Sequence, residues 1–266
     1  MRGGGRCRLS LQPAAGRGQR GGGGILVLSE RIRLVAETGS TNADLRALAR
    51  DGLAEGQWLR AGRQTAGRGR LGRDWHSPAG NLHASTLIRL RPGDPVVTGL
   101  GLLLGVAVQS ALAGLMPEAT FQLKWPNDVM VGHAKLAGML LEREGDAVIA
   151  GIGINVAAAP ALPDRETIAL ADLPGGEAID AAAVLAALVP AVDHWLDGWR
   201  TQGQAAIIAA WLARAHPVGT PLRVSAGADQ PRHGRFLGLG GDGALILGLE
   251  DGTQHLIHSG DVGMLP

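Results

Sequence analysis

Cysteine is scarce in this sequence, which limits both its chemistry and its cellular compartment. Among 266 residues there is one cysteine, Cys7, so the chain can form no internal disulfide and no cysteine cluster that holds zinc. We expect a cytoplasmic protein, because the cytoplasm keeps thiols reduced. The apolar run at residues 25–28 is far shorter than the core of a signal peptide, so we expect no export.

Acidic residues are missing from the first 24 positions, which contain five arginines and nine glycines. That composition predicts a disordered tail over residues 1–24, with contact to RNA as the less favoured alternative. The rest of the chain has 20 basic and 24 acidic residues, a net charge of −4. Such a body is not typical of a protein that binds nucleic acid through its overall charge, and we expect no DNA among its partners.

Charged residues are also absent from positions 95–117, and the stretch at 100–108 is strongly apolar. The polar residues Thr98, Gln109 and Ser110 and the prolines at both ends argue against a membrane span. We therefore predict a buried helix over 95–116 and no membrane among the partners.

The remaining hydrophobic pattern predicts an α+β fold. We predict strands at 32–35, 57–63, 82–90, 121–124, 135–142 and 147–156, a helix at 43–49, and a turn at 126–128. Ser40, Thr41 or Asn42 can cap the helix, and the strands at 121–124 and 135–142 are expected to form a hairpin. Strands of this kind around one or two long helices indicate a mixed or largely antiparallel sheet.

The C-terminal third changes from helix to strand. Residues 181–216 have a helical pattern with Trp195, Trp199 and Trp211 at helical spacing, a stripe that is typical of core packing. From residue 218 on, short strands broken by glycine-rich turns predict a small β-barrel. The predicted organisation is a tail at 1–24, a large domain at 25–216 and a β-barrel domain at 217–266.

A loop at 67–73 combines three glycines with the arginines Arg68, Arg70 and Arg73. It satisfies the pattern G-x-G-x-x-G, but no helical run opens after Gly72, so we reject a dinucleotide site. The sequence contains no Walker-type motif either. Glycine permits close backbone approach and guanidinium groups bind phosphate and carboxylate oxygens, so the loop is predicted to bind anions, with a solvated basic turn as the alternative.

Three further segments carry polar residues suited to chemistry. Residues 124–128 read Lys-Trp-Pro-Asn-Asp and bring together a cation, an aromatic ring, an amide and a carboxylate. Lys135 lies just before the start of a strand of small residues, and Asn155 lies on a glycine-spaced strand. Each has an ordinary alternative: a hairpin turn, a surface lysine and a buried, hydrogen-bonded asparagine.

Together these segments resemble the biotin protein ligase family. The matching pieces are 39–42, 63–73, Trp75, Asn81 with Leu82, 124–128, 135–138 and 151–156, in the family's order and near its spacing. The similarity spans about residues 32–266 and is most specific up to residue 156. It implies a catalytic domain of the biotin/lipoate ligase type, then an SH3-like β-barrel, in a short form without the N-terminal DNA-binding domain.

The resemblance implies a ligase that converts biotin and ATP to biotinyl-5'-AMP with release of pyrophosphate. The enzyme then transfers biotin to a lysine of a biotin carboxyl carrier protein of a biotin-dependent carboxylase. ATP is expected to enter with Mg²⁺, near Asp128, since no side-chain cluster forms a metal site of its own. Whether the chain forms a homodimer is left open.

The resemblance also implies roles for individual residues. Arg70 and Lys135 are expected to be catalytic, by stabilising the charge that builds up as the biotin carboxylate attacks the α-phosphorus. The biotin-binding residues that it implies are Ser40, Thr41, Asn42, Gln64, Arg68, Gly69, Arg70 and Lys135. The residues that it implies for ATP and the adenylate are Arg68, Arg70, Trp75, Asn127, Asp128 and Asn155.

Two alternatives stay open on the sequence. A lipoate protein ligase shares the fold and the adenylation chemistry, but lipoate has no ureido group for the Ser-Thr-Asn turn and Gln64 to bind. A nucleic-acid-binding regulator would use the arginine-rich tail and loop through salt-dependent contacts, against the negative charge of the body.

Overall fold

The computed structural model of the protein describes residues 28–225 and 230–265. The predicted tail at 1–24, with Cys7, lies outside the described residues. A short helix, α1 (Leu28–Arg31), leads into the first strand. Its Arg31 donates two hydrogen bonds to Asp193, at 2.5 and 2.8 Å, and so ties the beginning of the described chain to the helical layer.

A seven-stranded mixed sheet forms the centre of the larger part of the fold. Its strands in chain order are β1 (Ile32–Thr38), β2 (Trp58–Gln64), β3 (Leu82–Arg89), β4 (Gln122–Lys124), β5 (Asp128–Val131), β6 (Ala134–Glu144) and β7 (Ala147–Ile154). They lie in the order β1-β2-β3-β7-β6-β5-β4, with β1 parallel to β2 and the other neighbours antiparallel. The predicted α+β class with a mixed sheet is confirmed.

One face of this sheet packs in the main core and the other faces α2 and a pocket, because successive side chains of a strand point to opposite sides. On β7 the residues at even positions, such as Ile152, belong to the main hydrophobic core. Ala147 and Ile149 point the other way and pack with Leu45 of α2 (Thr41–Arg50) in a smaller cluster. The next two residues on that second face are Gly151 and Gly153, and both line a pocket.

Three helices cover the main-core face: α3 (Gly99–Leu115), α4 (Ala181–Gln202) and α5 (Gln204–Leu212). By length and composition alone α4 is apolar enough to cross a membrane. Its buried residues, Trp199 among them, belong to the same core as α3, so α4 packs as a core helix. Trp199 and Trp211 are buried and Trp195 packs, partly buried, against the same core, which confirms the predicted stripe.

The C-terminal part is a five-stranded antiparallel sheet. Its strands are β8 (Pro221–Ser225), β9 (Arg232–Leu239), β10 (Leu245–Gly248), β11 (Gln254–Ile257) and β12 (Asp261–Met264). Phe236 of β9 meets Trp211 of α5 edge to face, with ring centroids 6.2 Å apart, so this sheet shares the main core. The predicted small β domain is confirmed in its class, and its boundary at residue 217 stays a prediction.

One predicted strand pairing is wrong. The strand at 121–124 does not pair with 135–142, because β5 lies between them and pairs with both β4 and β6. Asp128 begins β5 instead of ending the turn, since the apolar residues after it are buried as a strand. The segment 181–216, predicted to be helical, contains two helices, α4 and α5, because Gly203, at φ 83°, ends α4 in a conformation that glycine adopts easily.

Candidate active site

A pocket of about 300 Å³ opens on the second face of the seven-stranded sheet, beside the N-terminus of α2. All twelve residues that the sequence predicts for the site line it: Ser40, Thr41, Asn42, Gln64, Arg68, Gly69, Arg70, Trp75, Asn127, Asp128, Lys135 and Asn155. They come from distant parts of the chain, so the fold brings the predicted segments together in one pocket.

A platform of two glycines holds Trp75 flat against the sheet. Gly138 of β6 and Gly153 of β7 lie opposite each other in the strand register. A Cβ atom at Gly153 would lie 2.4 Å from Cε2 and Cζ2 of Trp75, and one at Gly138 would lie 3.2 Å from its Cζ3. The indole can therefore reach the sheet at Gly153 only because that residue has no side chain, whereas a Cβ atom at Gly138 would require a shift of a few tenths of an ångström. The Nζ atom of Lys135 lies 5.7 Å from the centroid of the same ring, within reach of a cation–π contact.

A third glycine admits Asn42 at the other end of the pocket. A Cβ atom at Gly151 would lie 2.4 Å from Oδ1 of Asn42. The Asn42 amide donates to Glu142 at 2.7 Å, and its Oδ1 lies 2.6 Å from Oγ of Ser85.

Ser40 caps α2, because its side chain accepts a hydrogen bond from the amide of Ala43. This confirms one of the three predicted caps and places the helix N-terminus at the pocket.

The end of the pocket nearest α2 is lined by neutral polar groups, while the Glu142 carboxylate that holds Asn42 is paired with Arg46 and is not part of the lining. Oε1 of Gln64 accepts from the backbone N–H and the hydroxyl of Thr41, at 2.8 and 3.0 Å. The Gln64 amide in turn donates to Ser77 at 3.2 Å, while Oγ of Ser85 lies 2.7 Å from Oγ1 of Thr41. Because these groups hold one another, their orientations are set before a ligand arrives.

The glycine and arginine loop folds back on itself over the pocket. The amide of Gly69 donates to the carbonyl of Arg73 at 2.7 Å, and the amide of Trp75 donates to Gly67 at 2.9 Å. A single 3-10 turn over Arg70–Gly72 stands where a dinucleotide site would open an α-helix. Arg73 forms an ion pair with Asp261 of β12 at 2.8 Å, which joins the loop to the C-terminal sheet.

Both lysines of the chain meet at one buried carboxylate. The sequence has only two lysines, Lys124 and Lys135, and their Nζ atoms lie 3.1 and 2.6 Å from the carboxylate of Asp128, whose side chain is 7% exposed. Burial alone would raise the pKa of Asp128, but the charges and hydrogen bonds of the two ammonium groups outweigh it and lower that pKa to about 2. Asp128 is therefore ionised at neutral pH and holds Lys135 at the pocket wall.

Arg70 lies beside this charge cluster. Its Nη1 donates to Oδ1 of Asn127 at 3.4 Å, and the Asn127 amide is itself fixed by a 2.6 Å hydrogen bond to the carbonyl of Met139. Burial lowers the pKa of the Arg70 guanidinium, and the charge of Arg73 acts in the same direction, against Asp128 and Asp261. A partly buried arginine with one neutral partner is well placed to bind an incoming anion.

Asn155 is buried where β7 ends. Its amide nitrogen lies 3.2 Å from the carbonyl of Ile168, and it therefore ties the segment after β7 to the sheet. Its Oδ1 is buried and accepts no hydrogen bond from the described residues. The same segment pairs with the backbone of Lys135, which donates to the carbonyl of Glu166 at 2.9 Å.

Several lining residues escaped the sequence analysis. They are contributed by the segment after β7 and by the start of β12: Pro160, Leu162, Asp164, Arg165, Thr167, Gly260 and Asp261. Ser85 and Glu142, which hold the polar end, were missed as well. A signal for Ser85 was present, because it is a polar residue in the middle of a strand whose neighbours are all buried.

The described residues contain no group of three histidine, cysteine, aspartate or glutamate side chains that would hold a metal ion. The carboxylate of Asp128 is occupied by the two lysines, so it is not free to bind Mg²⁺ unless an ion pair breaks. The residues of the pocket therefore do not favour Asp128 as a magnesium ligand. Mg²⁺ that accompanies ATP as part of the substrate stays a prediction.

Comparison with known families matches both parts of the chain. Residues 38–158 match the model of the biotin/lipoate A/B protein ligase family, and residues 223–264 match the model of the biotin protein ligase C-terminal domain. The first range contains all of the predicted site residues, and the second covers most of the five-stranded sheet.

Individual relatives agree with the family models. The chain is 39% identical to a biotin--[acetyl-CoA-carboxylase] ligase of Paracoccus denitrificans over 83% of this chain and 95% of that protein. It is 35% identical to a protein of the same name from Mycobacterium tuberculosis, over 87% and 88% of the two chains. A structure of the biotin protein ligase of Aquifex aeolicus in complex with biotin and ATP is 28% identical. It covers 89% of this chain and 100% of that one, with a TM-score of 0.78.

Proposed function

The chain belongs to the biotin protein ligase family, and we propose on that premise how its pocket activates biotin with ATP and attaches it to a lysine of an acceptor protein. The observation that carries the proposal is the division of one pocket into two ends. One end offers neutral hydroxyl and amide groups held by Gln64, and the other offers ammonium and guanidinium groups around Asp128. Biotin has a neutral ureido head and an anionic tail, which fits such a pocket.

The neutral end is proposed to bind the biotin head group. A ureido group has two N–H donors and one carbonyl acceptor, so it needs neutral partners of both kinds. Ser40, Thr41, Asn42 and Gln64 supply hydroxyl and amide groups there, with Thr41 and Asn42 only 3% and 5% exposed. Since the network fixes these groups in advance, little ordering is required when biotin binds.

The cationic end is proposed to catalyse the first step. A carboxylate oxygen of biotin forms a bond to the α-phosphorus while the bond from that phosphorus to the β-phosphate bridging oxygen breaks, and pyrophosphate leaves with the electron pair. Negative charge is concentrated on the oxygens in transit, and fixed cations stabilise it. Arg70 and Lys135 are the catalytic residues in this proposal, with Arg68 and Gly69 of the loop closing on the carboxylate and phosphate.

Residues around these cations are proposed to hold the nucleotide. Trp75 forms a flat wall for the adenine, and Asn155 offers a buried oxygen with no other donor among the described residues. Asn127 orients Arg70, and Asp128 orients Lys135 by the 2.6 Å ion pair. MgATP enters as substrate, and its metal ion neutralises phosphate charge that the protein does not.

The second step transfers biotin to the acceptor. The neutral amine of a lysine forms a bond to the acyl carbon of the anhydride, AMP leaves with its electron pair, and the amine loses a proton to water. The relatives are named for acetyl-CoA carboxylase, so we propose a biotin carboxyl carrier protein of a biotin-dependent carboxylase as the acceptor. A homodimer, the absence of DNA binding and a cytoplasmic location stay predictions.

A lipoate protein ligase is the nearest alternative, and the relatives favour biotin, since those compared are named as biotin ligases. Release of pyrophosphate distinguishes a biotin ligase from a lipoate ligase, because only the carboxylate of the cognate acid reacts with ATP in the pocket. The proposed function predicts release with biotin and none above background with lipoate. Equal or faster release with lipoate would contradict it.

A further inference from the structure

Arg165 belongs to the pocket although no sequence motif predicts it. It lies in the segment between β7 and α4 and lines the pocket with a side chain that is 23% exposed. The residues after it are fixed by a short ladder to Lys135, because the Lys135 amide donates to Glu166 at 2.9 Å and the Ile168 amide donates to Lys135 at 3.1 Å. The strand end that carries the catalytic lysine therefore also positions Arg165.

The guanidinium group of Arg165 has only a local partner. Its hydrogen bonds within the described residues go to the carboxylate of Asp164, the preceding residue, by Nε at 3.1 Å and by Nη2. Asp164 is itself 57% exposed. An ion pair between neighbours in sequence connects no two elements of the fold, so the pair is not needed to hold the structure together.

The charges around Arg165 leave an excess of positive charge. The charged side chains that line the pocket, together with Lys124, which pairs with Asp128, are six cations and four carboxylates: Arg68, Arg70, Arg73, Lys124, Lys135 and Arg165 against Asp74, Asp128, Asp164 and Asp261. The pKa of Arg165 is raised by its hydrogen bond to Asp164, with Asp261 and Asp128 acting in the same direction against burial. Arg165 thus lies in the same electrostatic field as the catalytic cations, and the excess of two charges is complementary to a polyphosphate.

We propose that Arg165 binds the phosphates of ATP beyond the reacting one, and that the carboxylate of Asp164 occupies its guanidinium until the nucleotide arrives. This inference rests on the proposed function. Phosphate oxygens replace Asp164 on the same N–H donors, and a guanidinium fork matches them in geometry. As the bond between the α-phosphorus and the bridging oxygen breaks, Arg165 stabilises the pyrophosphate that leaves with the electron pair. Arg165 transfers no proton.

Substitutions of the two residues of the pair are predicted to differ in their effect on the KM for ATP. Arg165→Gln should raise the KM for ATP by about tenfold to hundredfold, the usual effect of losing a charged hydrogen bond, and should weaken inhibition by pyrophosphate by a similar factor. Its affinity for biotin, measured by calorimetry without ATP, should stay within twofold. Asp164→Asn should leave the KM for ATP unchanged or lower it, because a competitor for Arg165 is removed. Arg50→Ala, which breaks an exposed ion pair with Glu144 outside the pocket, is the matched control and should change neither constant.

If the pair were only structural, Arg165→Gln and Asp164→Asn would both lower the melting temperature and would change the KM for ATP and the affinity for biotin together. That result, or a KM for ATP within threefold of the unmodified enzyme in Arg165→Gln, would overturn the proposal. Melting temperatures of all variants establish that they are folded. Pyrophosphate release by the unmodified enzyme with biotin is measured in the same series, and its absence would refute the proposed function itself instead of the role of Arg165.

Discussion

Alanine at either of two pocket glycines should damage one substrate site and leave the other. Gly153 faces Trp75 and Gly151 faces Asn42, and at each position a Cβ atom would lie 2.4 Å from the facing side chain. The strand cannot retreat from this overlap, because β7 is hydrogen-bonded to β3 on one side and to β6 on the other. The facing side chain must move instead.

The size of the effect follows from these distances. Carbon atoms in contact normally lie about 3.5–4.0 Å apart, so Trp75 must withdraw by more than about 1 Å from Gly153→Ala. Adding a methyl group to a packed site costs about 1–3 kcal/mol, which corresponds to about fivefold to 150-fold in binding if the bound state requires the original position. Gly153→Ala should therefore raise the KM for ATP, and Gly151→Ala should raise the KM for biotin.

Steady-state pyrophosphate release, with each substrate varied in turn, measures both constants. Gly114→Ala is the control, because Gly114 is an exposed helical residue of α3 with open space around its Cβ position. It should leave both constants unchanged and stabilise the helix by about 0.5–1 kcal/mol. If Gly153→Ala changed both constants equally, or if Gly151→Ala acted mainly on ATP, the assignment of the two ends of the pocket would be wrong.

Three further predictions concern the charges and the loop. Arg70→Ala or Lys135→Ala should slow adenylate formation about 10²- to 10³-fold, and a rate within threefold of the unmodified enzyme would refute the catalytic assignment. The lowered pKa of Asp128 should contribute about 2 kcal/mol to the free energy of unfolding above about pH 4, lost as pH falls through about 2. Urea unfolding from pH 5 to pH 2 measures this contribution in the unmodified enzyme and in Lys135→Ala. In the variant the Asp128 carboxyl has lost one cation and should titrate at higher pH. Identical dependence of the unfolding free energy on pH in the two proteins would contradict the prediction. Hydrogen exchange of the amides at 67–73 should slow when biotin and ATP bind. Of the three loop arginines only Arg73 has a carboxylate partner within the described residues, so Arg68 and Arg70 gain one only when an anion binds. Equally strong protection in the free enzyme would show a preformed loop.

The fold was predictable where the hydrophobic pattern was long and regular. The apolar run at 95–116 is α3, and the segments at 82–90 and 147–156 that were predicted as strands are β3 and β7, each within a few residues. The four residues of β5 could not be recognised, because a strand this short beside a turn has no measurable period. The break at Gly203 was hidden because the apolar pattern continues on both sides of it.

The site was predictable where residue types clustered in sequence, as they do at 67–75 and 124–128. Arg165 and Asp261 were not, because neither belongs to a recognisable motif, and only the tertiary fold brings them to the pocket. The pairing of both lysines with Asp128 was equally hidden: Lys124 and Asp128 are close in sequence, but Lys135 reaches the carboxylate through the register of β5 and β6.

Mass spectrometry of an acceptor protein tests the central claim most directly. The purified enzyme is incubated with ATP, Mg²⁺, biotin and a biotin carboxyl carrier domain, and the acceptor is weighed intact and after digestion. We predict one biotin on one lysine of the acceptor, with AMP and pyrophosphate formed in equal amounts, and no addition when ATP is omitted. An unmodified acceptor in the presence of folded enzyme and all substrates, or addition of lipoate in place of biotin when both are offered, would contradict the account.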